Sequence, residues 1–224
     1  MTSHAPTGGQ PAALFDMDRT LLRVDTAMSW TRFLYRRGEL PPQMVAKAVY
    51  WSTLYKLAVL DMESVFTRLC LGLEGDSEAE MVAKCAIWFR DHIAPEIALA
   101  ARVAVERHRR AGHVVVLATG STIYAARPVA RDVGIDHVLA SRLEVVDGKF
   151  TGRTSALCFG HHKVSLVEAW AAEHGVDLAR SYFYSDSFND LPTLQRVGTA
   201  IAVNPDARLA REARRRGWAI SEWR

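Results

Sequence analysis

Apolar residues follow two rhythms along this chain. Residues 12–15 and 114–118 are short, unbroken apolar runs bounded by polar residues, and residues 181–184 and 200–203 repeat the pattern. Runs of that length read as strands buried on both faces. Residues 124–133 and 164–174 instead carry apolar positions at helical spacing. A short strand is predicted at 137–140, and Asp147-Gly148 between residues 143–146 and 149–151 is a two-residue hairpin signal. Alternating strands and helices predict a mostly parallel sheet with helices on both faces.

The stretch between the first strand and the run at Val114 contains no convincing strand. It predicts helices at 29–36, 44–60, 63–71 and 78–92, separated by Pro41-Pro42, by Asp61 and by residues 72–76. Pro95 then predicts the start of a helix that ends at Gly112. The expected organisation is a core of residues 12–25 and 94–224, interrupted by an all-helical block at 26–93. Met1 to Pro11 are polar, without the apolar centre of an export signal, and read as a disordered tail. The greasiest stretch, 46–60, is broken by Lys47 and Lys56 and is short for a membrane span, so no stable membrane insertion is expected.

Candidate chemistry gathers where the strands end. Asp16 and Asp18 follow the first strand, and Asp186 and Asp190 follow the run at 181–184. Open α/β sheets place their ligands at such strand ends. Carboxylates brought together there repel one another and are tolerated with a cation; an all-oxygen donor set suits Mg²⁺. Thr119-Gly120-Ser121, after the run at Val114 and before a helix, offers hydroxyls and backbone N–H groups to phosphate oxygens. Lys163, at the start of a helical segment, supplies the positive point charge that such a site needs.

With the motifs Asp16-Met17-Asp18-Arg19-Thr20, Thr119-Gly120-Ser121, Lys163 and Asp186-Ser187-Phe188-Asn189-Asp190 in that order, the chain resembles the haloacid dehalogenase superfamily of phosphohydrolases, in the branch that includes phosphoserine phosphatase. The resemblance implies a Rossmannoid three-layer core and reads the helical block as a cap of the C1 type. It implies Asp16 as nucleophile forming an aspartyl-phosphate, and Asp18 as the acid and then base. Mg²⁺ would be held by Asp16, the backbone carbonyl of Asp18 and Asp186, with Thr20, Asn189 and Asp190 behind them. Thr119, Gly120, Ser121 and Lys163 would hold the phosphoryl oxygens.

The implied activity is hydrolysis of a small phosphorylated metabolite, such as a histidinol phosphate or phosphoserine-like ester. A phosphotransferase or phosphomutase, a lipid-phosphate phosphatase and a non-catalytic phosphometabolite-binding module are the other readings of the same cleft. By the same resemblance Asp25 takes the place of a substrate-holding glutamate and Arg68 that of a cap arginine. Asp25 reads equally as the N-cap of a helix beginning near Thr26. Arg19 and the Thr-Gly-Ser triplet depart from the phosphoserine-phosphatase pattern and count against L-phosphoserine itself. The aromatics Trp30, Phe33, Tyr35, Tyr50, Trp51 and Tyr55 are either ordinary packing or a surface for a ring-bearing or lipid-like leaving group. His161 and His162 read as exposed loop residues.

A formal net charge of +3 over 224 residues gives no reason to expect nucleic acid as a partner. Arginines at 107, 109 and 110, and at 211 and 214–216, fall near the C-terminal ends of helical patterns, where cations suit the helix dipole. The three cysteines show neither paired nor metal spacing and read as reduced thiols of a cytoplasmic protein.

Overall fold

The computed structural model describes residues 9–56 and 62–223. Its centre is strand β1 (Ala12–Phe15), flanked in one seven-stranded sheet by β2 (Val114–Thr122), β3 (His137–Val146) and β4 (Lys149–Ala156) on one side. On the other side lie β5 (Tyr182–Ser185), β6 (Thr199–Val203) and β7 (Ala219–Ser221). Every neighbouring pair is parallel except β3 with β4. The predicted fold class is therefore observed.

Alternation along β1 divides the interior into two layers. Ala13 and Phe15 face one core, which also contains Val105, Leu117, Ala126 and Val203, while Ala12 and Leu14 face another with Val116, Val167, Phe183 and Leu209. Helices α5 (Leu99–Arg110) and α6 (Ile123–Val133) supply the first layer; α7 (Gly160–Glu173) and α9 (Ala207–Arg216) supply the second, and α8 (Leu191–Leu194) follows β5.

Between β1 and β2 the chain forms α1 (Thr26–Arg36), α2 (Pro42–Lys56), α3 (Met62–Leu71) and α4 (Glu78–Trp88). Positions 57–61, the end of the helix expected at 44–60, lie outside the described residues. Among the described residues the inserted helices share the core of the sheet: Phe33, Cys70, Cys85 and Trp88 are buried in the same cluster as Phe15. Beyond the packing, Gly75 N–H donates to Phe150 O (2.8 Å), Phe150 N–H to Asp76 O (3.0 Å) and Glu78 N–H to Gly148 O (2.9 Å). The turn between α3 and α4 is thereby sewn to the β3–β4 hairpin, whose Asp147 (φ 50°) and Gly148 (φ 74°) adopt the conformation that such a turn requires.

Three expectations need correction. The short strand at 137–140 and the first arm of the hairpin are one strand, β3, which pairs parallel with β2 through Ser141 and antiparallel with β4 from Arg142. A local pattern does not reveal that one strand serves two partners. Pro95 opens only the tight turn Ala94–Glu96, and α5 starts at Leu99. Residues 96–98 instead pair with the loop after β1, through Arg23 N–H to Glu96 O and Ala98 N–H to Leu21 O, both 2.9 Å. Lastly, residues 9–11 are not part of a free tail: Gln10 N–H donates to Gly175 O, Asp177 N–H to Gln10 O, and Val114 N–H to Pro11 O. Residues 1–8 of that expected tail lie outside the described residues.

Candidate active site

The carboxylate of Asp16 emerges where β1 stops, and its N–H still donates to Tyr184 O at 2.9 Å, which fixes its backbone against β5. Lys163, in the first turn of α7, reaches under the sheet edge and donates to Asp16 Oδ1 at 3.0 Å and to Asp190 Oδ2 at 2.9 Å. Asp190 takes a further hydrogen bond from Ser185 Oγ at 2.7 Å. Asp16, Lys163 and Asp190 are all buried, with Lys163 only 2% exposed. A lysine can be held there only because both of its carboxylate partners are in contact. Burial works against its charge, but Asp16 and Asp190 outweigh it and hold the ammonium well above its ordinary value.

The chain then departs from extended geometry. Arg19 lies in the left-handed region (φ 55°), its N–H donates to Val24 O, and its carbonyl accepts from Asn204 Nδ2 at 2.8 Å. This turn brings Asp18 back toward the side of Asp16. Thr26 N–H donates to Asp18 Oδ1 at 2.6 Å, while Thr26 Oγ1 and Ser121 Oγ approach Asp18 Oδ2 at 3.0 and 3.1 Å. The two hydroxyls are themselves 2.8 Å apart.

Burial raises the carboxylates, each modified by its neighbours. For Asp16, burial with Asp190 and Asp18 outweighs Lys163 and pushes the pKa up to about 7. For Asp18, burial and Asp25 outweigh the hydrogen bonds from Thr26 and Ser121, giving about 6. Asp186 is driven well above the usual range by burial and by Asp16, Asp190 and Asp18, so the strand ends of β1 and β5 are electrostatically joined. Asp16 and Asp190 thus share one ammonium while Asp18 and Asp186 add acidic oxygens beside them, a surplus that fits a hard divalent cation. Among the described residues, no group of three or more His, Cys, Asp or Glu side chains stands in ligand positions. A cation here would draw on Asp16 and Asp186 and on a backbone carbonyl.

The remaining expected residues fall out as follows. Thr119 is buried at the end of β2, and its Oγ1 accepts from Ser121 N–H at 3.2 Å. Gly120 is held through its carbonyl by Ser141 Oγ at 2.9 Å. Ser121 spends its hydroxyl on Asp18 and Thr26. Thr20 is fully buried and its hydroxyl has no hydrogen-bond partner, so it makes no bond to the carboxylates. Asn189 N–H donates to Ser187 Oγ. Asp25 caps α1, accepting from Met28 N–H at 2.9 Å, while its charge also acts on Asp18. Arg68 is exposed on α3 and has no hydrogen bond or ion pair with these groups among the described residues.

His161 and His162 belong to the first turn of α7 rather than a loop. Of the aromatics, Phe33 is buried, Trp30 packs on Trp88 with ring centroids 5.3 Å apart, and Tyr35 and Tyr50 are exposed; the side chains of Trp51 and Tyr55 lie outside the described residues. The three cysteines are free and buried. Among the described residues no helix is long and apolar enough to cross a membrane.

Three residues escaped the sequence reading: Thr26, which holds Asp18; Ser185, which holds Asp190; and Ser141, which joins Gly120 O to Cys158 N–H. Thr26, as the first helical residue after a capping aspartate, was the one with a local signal.

Known proteins share this arrangement of elements. The chain is 36% identical over 218 residues to the phosphoserine phosphatase SerB1 of Mycobacterium tuberculosis, covering 95% of this chain and 71% of that protein. It is 31% identical over 216 residues to a histidinol-phosphatase of Neisseria meningitidis, covering 93% of this chain and 96% of that protein. A crystal structure of a Bordetella pertussis Tohama I protein of unknown function superposes with a TM-score of 0.85 at 33% identity, over 96% of this chain and all of that one. Residues 13–195, from within β1 to just past α8, match the haloacid dehalogenase-like hydrolases, and the chain belongs to that family.

Proposed function

We propose that this hydrolase is a Mg²⁺-dependent phosphomonoesterase for a small phosphorylated metabolite, acting through an aspartyl-phosphate on Asp16. The observation that carries this reading is that two neighbouring carboxylates have separate supports. Asp16 is held by Lys163, and Asp18 by Thr26 and Ser121. A nucleophile and an acid/base group need exactly such different surroundings.

Lys163 occupies Asp16 Oδ1, which leaves Oδ2 to attack phosphorus. As the Oδ2–P bond forms, the bond from phosphorus to the leaving oxygen breaks, and that oxygen takes the proton of Asp18. With its pKa raised to about 6, Asp18 is a carboxyl able to hold that proton near neutral pH. In the second half, the Asp18 carboxylate accepts a proton from water as its oxygen attacks phosphorus, and Asp16 is released. Thr119, the Gly120 N–H and Lys163 would hold the phosphoryl oxygens, so the protein contributes mainly positioning and charge. Mg²⁺, held by Asp16, Asp186 and the Asp18 carbonyl, would supply positive charge to the transferring group. The helices at 26–93 act as the cap over this cleft, and phosphoserine and histidinol phosphate, named in the relatives, are among the esters to assay.

Phosphate release from p-nitrophenyl phosphate tests the reading. Chelation by EDTA should abolish it and added Mg²⁺ restore it, and Asp16→Asn should lower the rate by about a thousandfold or more. Activity untouched by EDTA would reject the metal, and Asp16→Asn at the wild-type rate would reject the nucleophile.

A further inference from the structure

A cavity of about 730 Å³ opens between the loop that follows β1 and one face of α1. Its charged lining is Arg19, Arg23, Arg32 and Arg36 against Asp25 and Glu96. Arg23 is engaged, with Glu96 at 3.3 Å and with Pro95 O at 2.7 Å, and the carboxylate of Asp25 caps α1. Arg19, Arg32 and Arg36 make no side-chain hydrogen bond or ion pair among the described residues. Some exposed arginines elsewhere, such as Arg110, Arg153 and Arg215, sit on a nearby glutamate, while Arg127, Arg131, Arg211 and Arg214 make no side-chain ion pair among the described residues. Arg32 and Arg36 stand one turn apart on the same helix face, where like charges repel unless an anion lies between them.

The chain links the cavity wall to the reaction centre at two points. Arg19 directly follows Asp18, and its carbonyl is fixed by Asn204, another lining residue. Thr26, which grips Asp18, is the first residue of α1, the helix that carries Arg32 and Arg36. At the helical rise these arginines stand roughly 9 and 15 Å along the axis from Thr26, and helical side chains lean back toward the N-terminus, here toward Asp18.

We propose that this cavity is a second anion site, and that the ester hydrolysed at Asp16 carries a further phosphate or similarly charged group on its leaving-group side. The proposal rests on the phosphomonoesterase reading and deepens it. Guanidinium groups grip phosphate through paired N–H donors, so Arg32 and Arg36 on one wall, with Arg19 between them and Asp186, suit a leaving group with an anionic end.

The test compares α,ω-alkanediol bisphosphates of roughly three to eight carbons with the matching ω-hydroxyalkyl monophosphates. The expected kcat/KM ratio favours the bisphosphate by about tenfold or more at the best length, and Arg32→Gln and Arg36→Gln should each reduce that ratio severalfold. Higher salt should lower it as well. Equal turnover of both series, or a preference undiminished in both variants, would overturn the proposal while leaving the phosphatase reading intact. Stimulation of monophosphate turnover by free inorganic phosphate would make the cavity an effector site and overturn the substrate assignment. No turnover of either series or of p-nitrophenyl phosphate would overturn the phosphatase reading itself.

Discussion

Two charged regions of opposite sign meet at Arg19, and they are built on different principles. On one side Asp16 and Asp190 are buried against Lys163, and the lysine holds these partners at 2.7–3.0 Å. On the other side, arginines line an open cavity and, among the described residues, three of the four make no side-chain hydrogen bond or ion pair, although the charge of Arg19 acts on Asp186. Where burial removes the solvent, an ionised group must be satisfied within the fold; where solvent remains, a guanidinium can stay unpaired until a ligand arrives. The buried side is itself unfavourable for charge: burial first, and then neighbouring carboxylates, raise Asp16, Asp18 and Asp186 despite the one lysine.

The contrast breaks most sharply at Lys163. Lys163→Met would leave Asp16 and Asp190 buried without their shared donor. The expected cost is about 3–5 kcal/mol at pH 8, with phosphatase activity lowered by about a thousandfold or more. The cost should shrink at pH 5, where the orphaned carboxylates take up protons. Urea midpoints of the metal-free protein at the two pH values measure this, and a variant as stable as wild type at pH 8 would show that the triad is not what holds the strand ends together.

A smaller effect sharpens the claim that the buried side awaits a cation. Asp16 titrates at about 7 in the fold against 3.8 in an unfolded chain. A folded value above the unfolded one contributes stability that is complete below 3.8 and is lost as pH rises through about 7. Protons and Mg²⁺ compete for the same oxygens, so the melting shift produced by Mg²⁺ should be larger at pH 8 than at pH 5. At a hundred times its dissociation constant, Mg²⁺ is expected to add about 2.7 kcal/mol, or several degrees. Equal shifts at both pH values, or a full shift retained by Asp186→Asn, would remove the cation from this site.

How much of this was legible in the sequence follows from how local each signal is. The strand at 12–15 and the run at 114–118 are continuous apolar stretches, and Asp147-Gly148 fixes its turn through two left-handed residues, so these elements were visible. Asp16, Lys163 and Asp190 were legible as a set because each sits at a strand end or helix start that the pattern also marks. What stayed hidden depends on distant partners. The extended segment before α5 exists because residues 96–98 pair with residues 21–23, more than seventy positions away. The donor role of Ser121 depends on the N-terminus of α1 reaching Asp18, which no spacing announces. No spacing in the sequence singles out Arg32 and Arg36, and only the cavity shows that they share a wall with Arg19.

The smallest effect comes from behind the sheet and separates the fold's own pH response from that of the site. His108, on α5, is 3% exposed, with Nε2 2.8 Å from Tyr184 Oη and Nδ1 2.8 Å from His113 Nδ1. Burial, together with His113 and Arg107, lowers its pKa from 6.5 to about 4. The same removal of water that raises the carboxylates thus depresses the imidazole, because in both cases it is the charged form that loses hydration. A folded value below the unfolded one contributes stability that is full above 6.5 and is lost as pH falls through about 4, opposite in direction to Asp16. Replacing His108 with glutamine keeps hydrogen-bonding atoms near Tyr184 but removes the titration. The variant's stability should therefore fall less than that of wild type between pH 6.5 and 4, by roughly 1–2 kcal/mol, while the melting shift from Mg²⁺ keeps its dependence on pH. An acid slope identical to wild type would place the proton uptake elsewhere, and a Mg²⁺ response altered in the same variant would mean that the back of the sheet and its catalytic edge do not titrate independently.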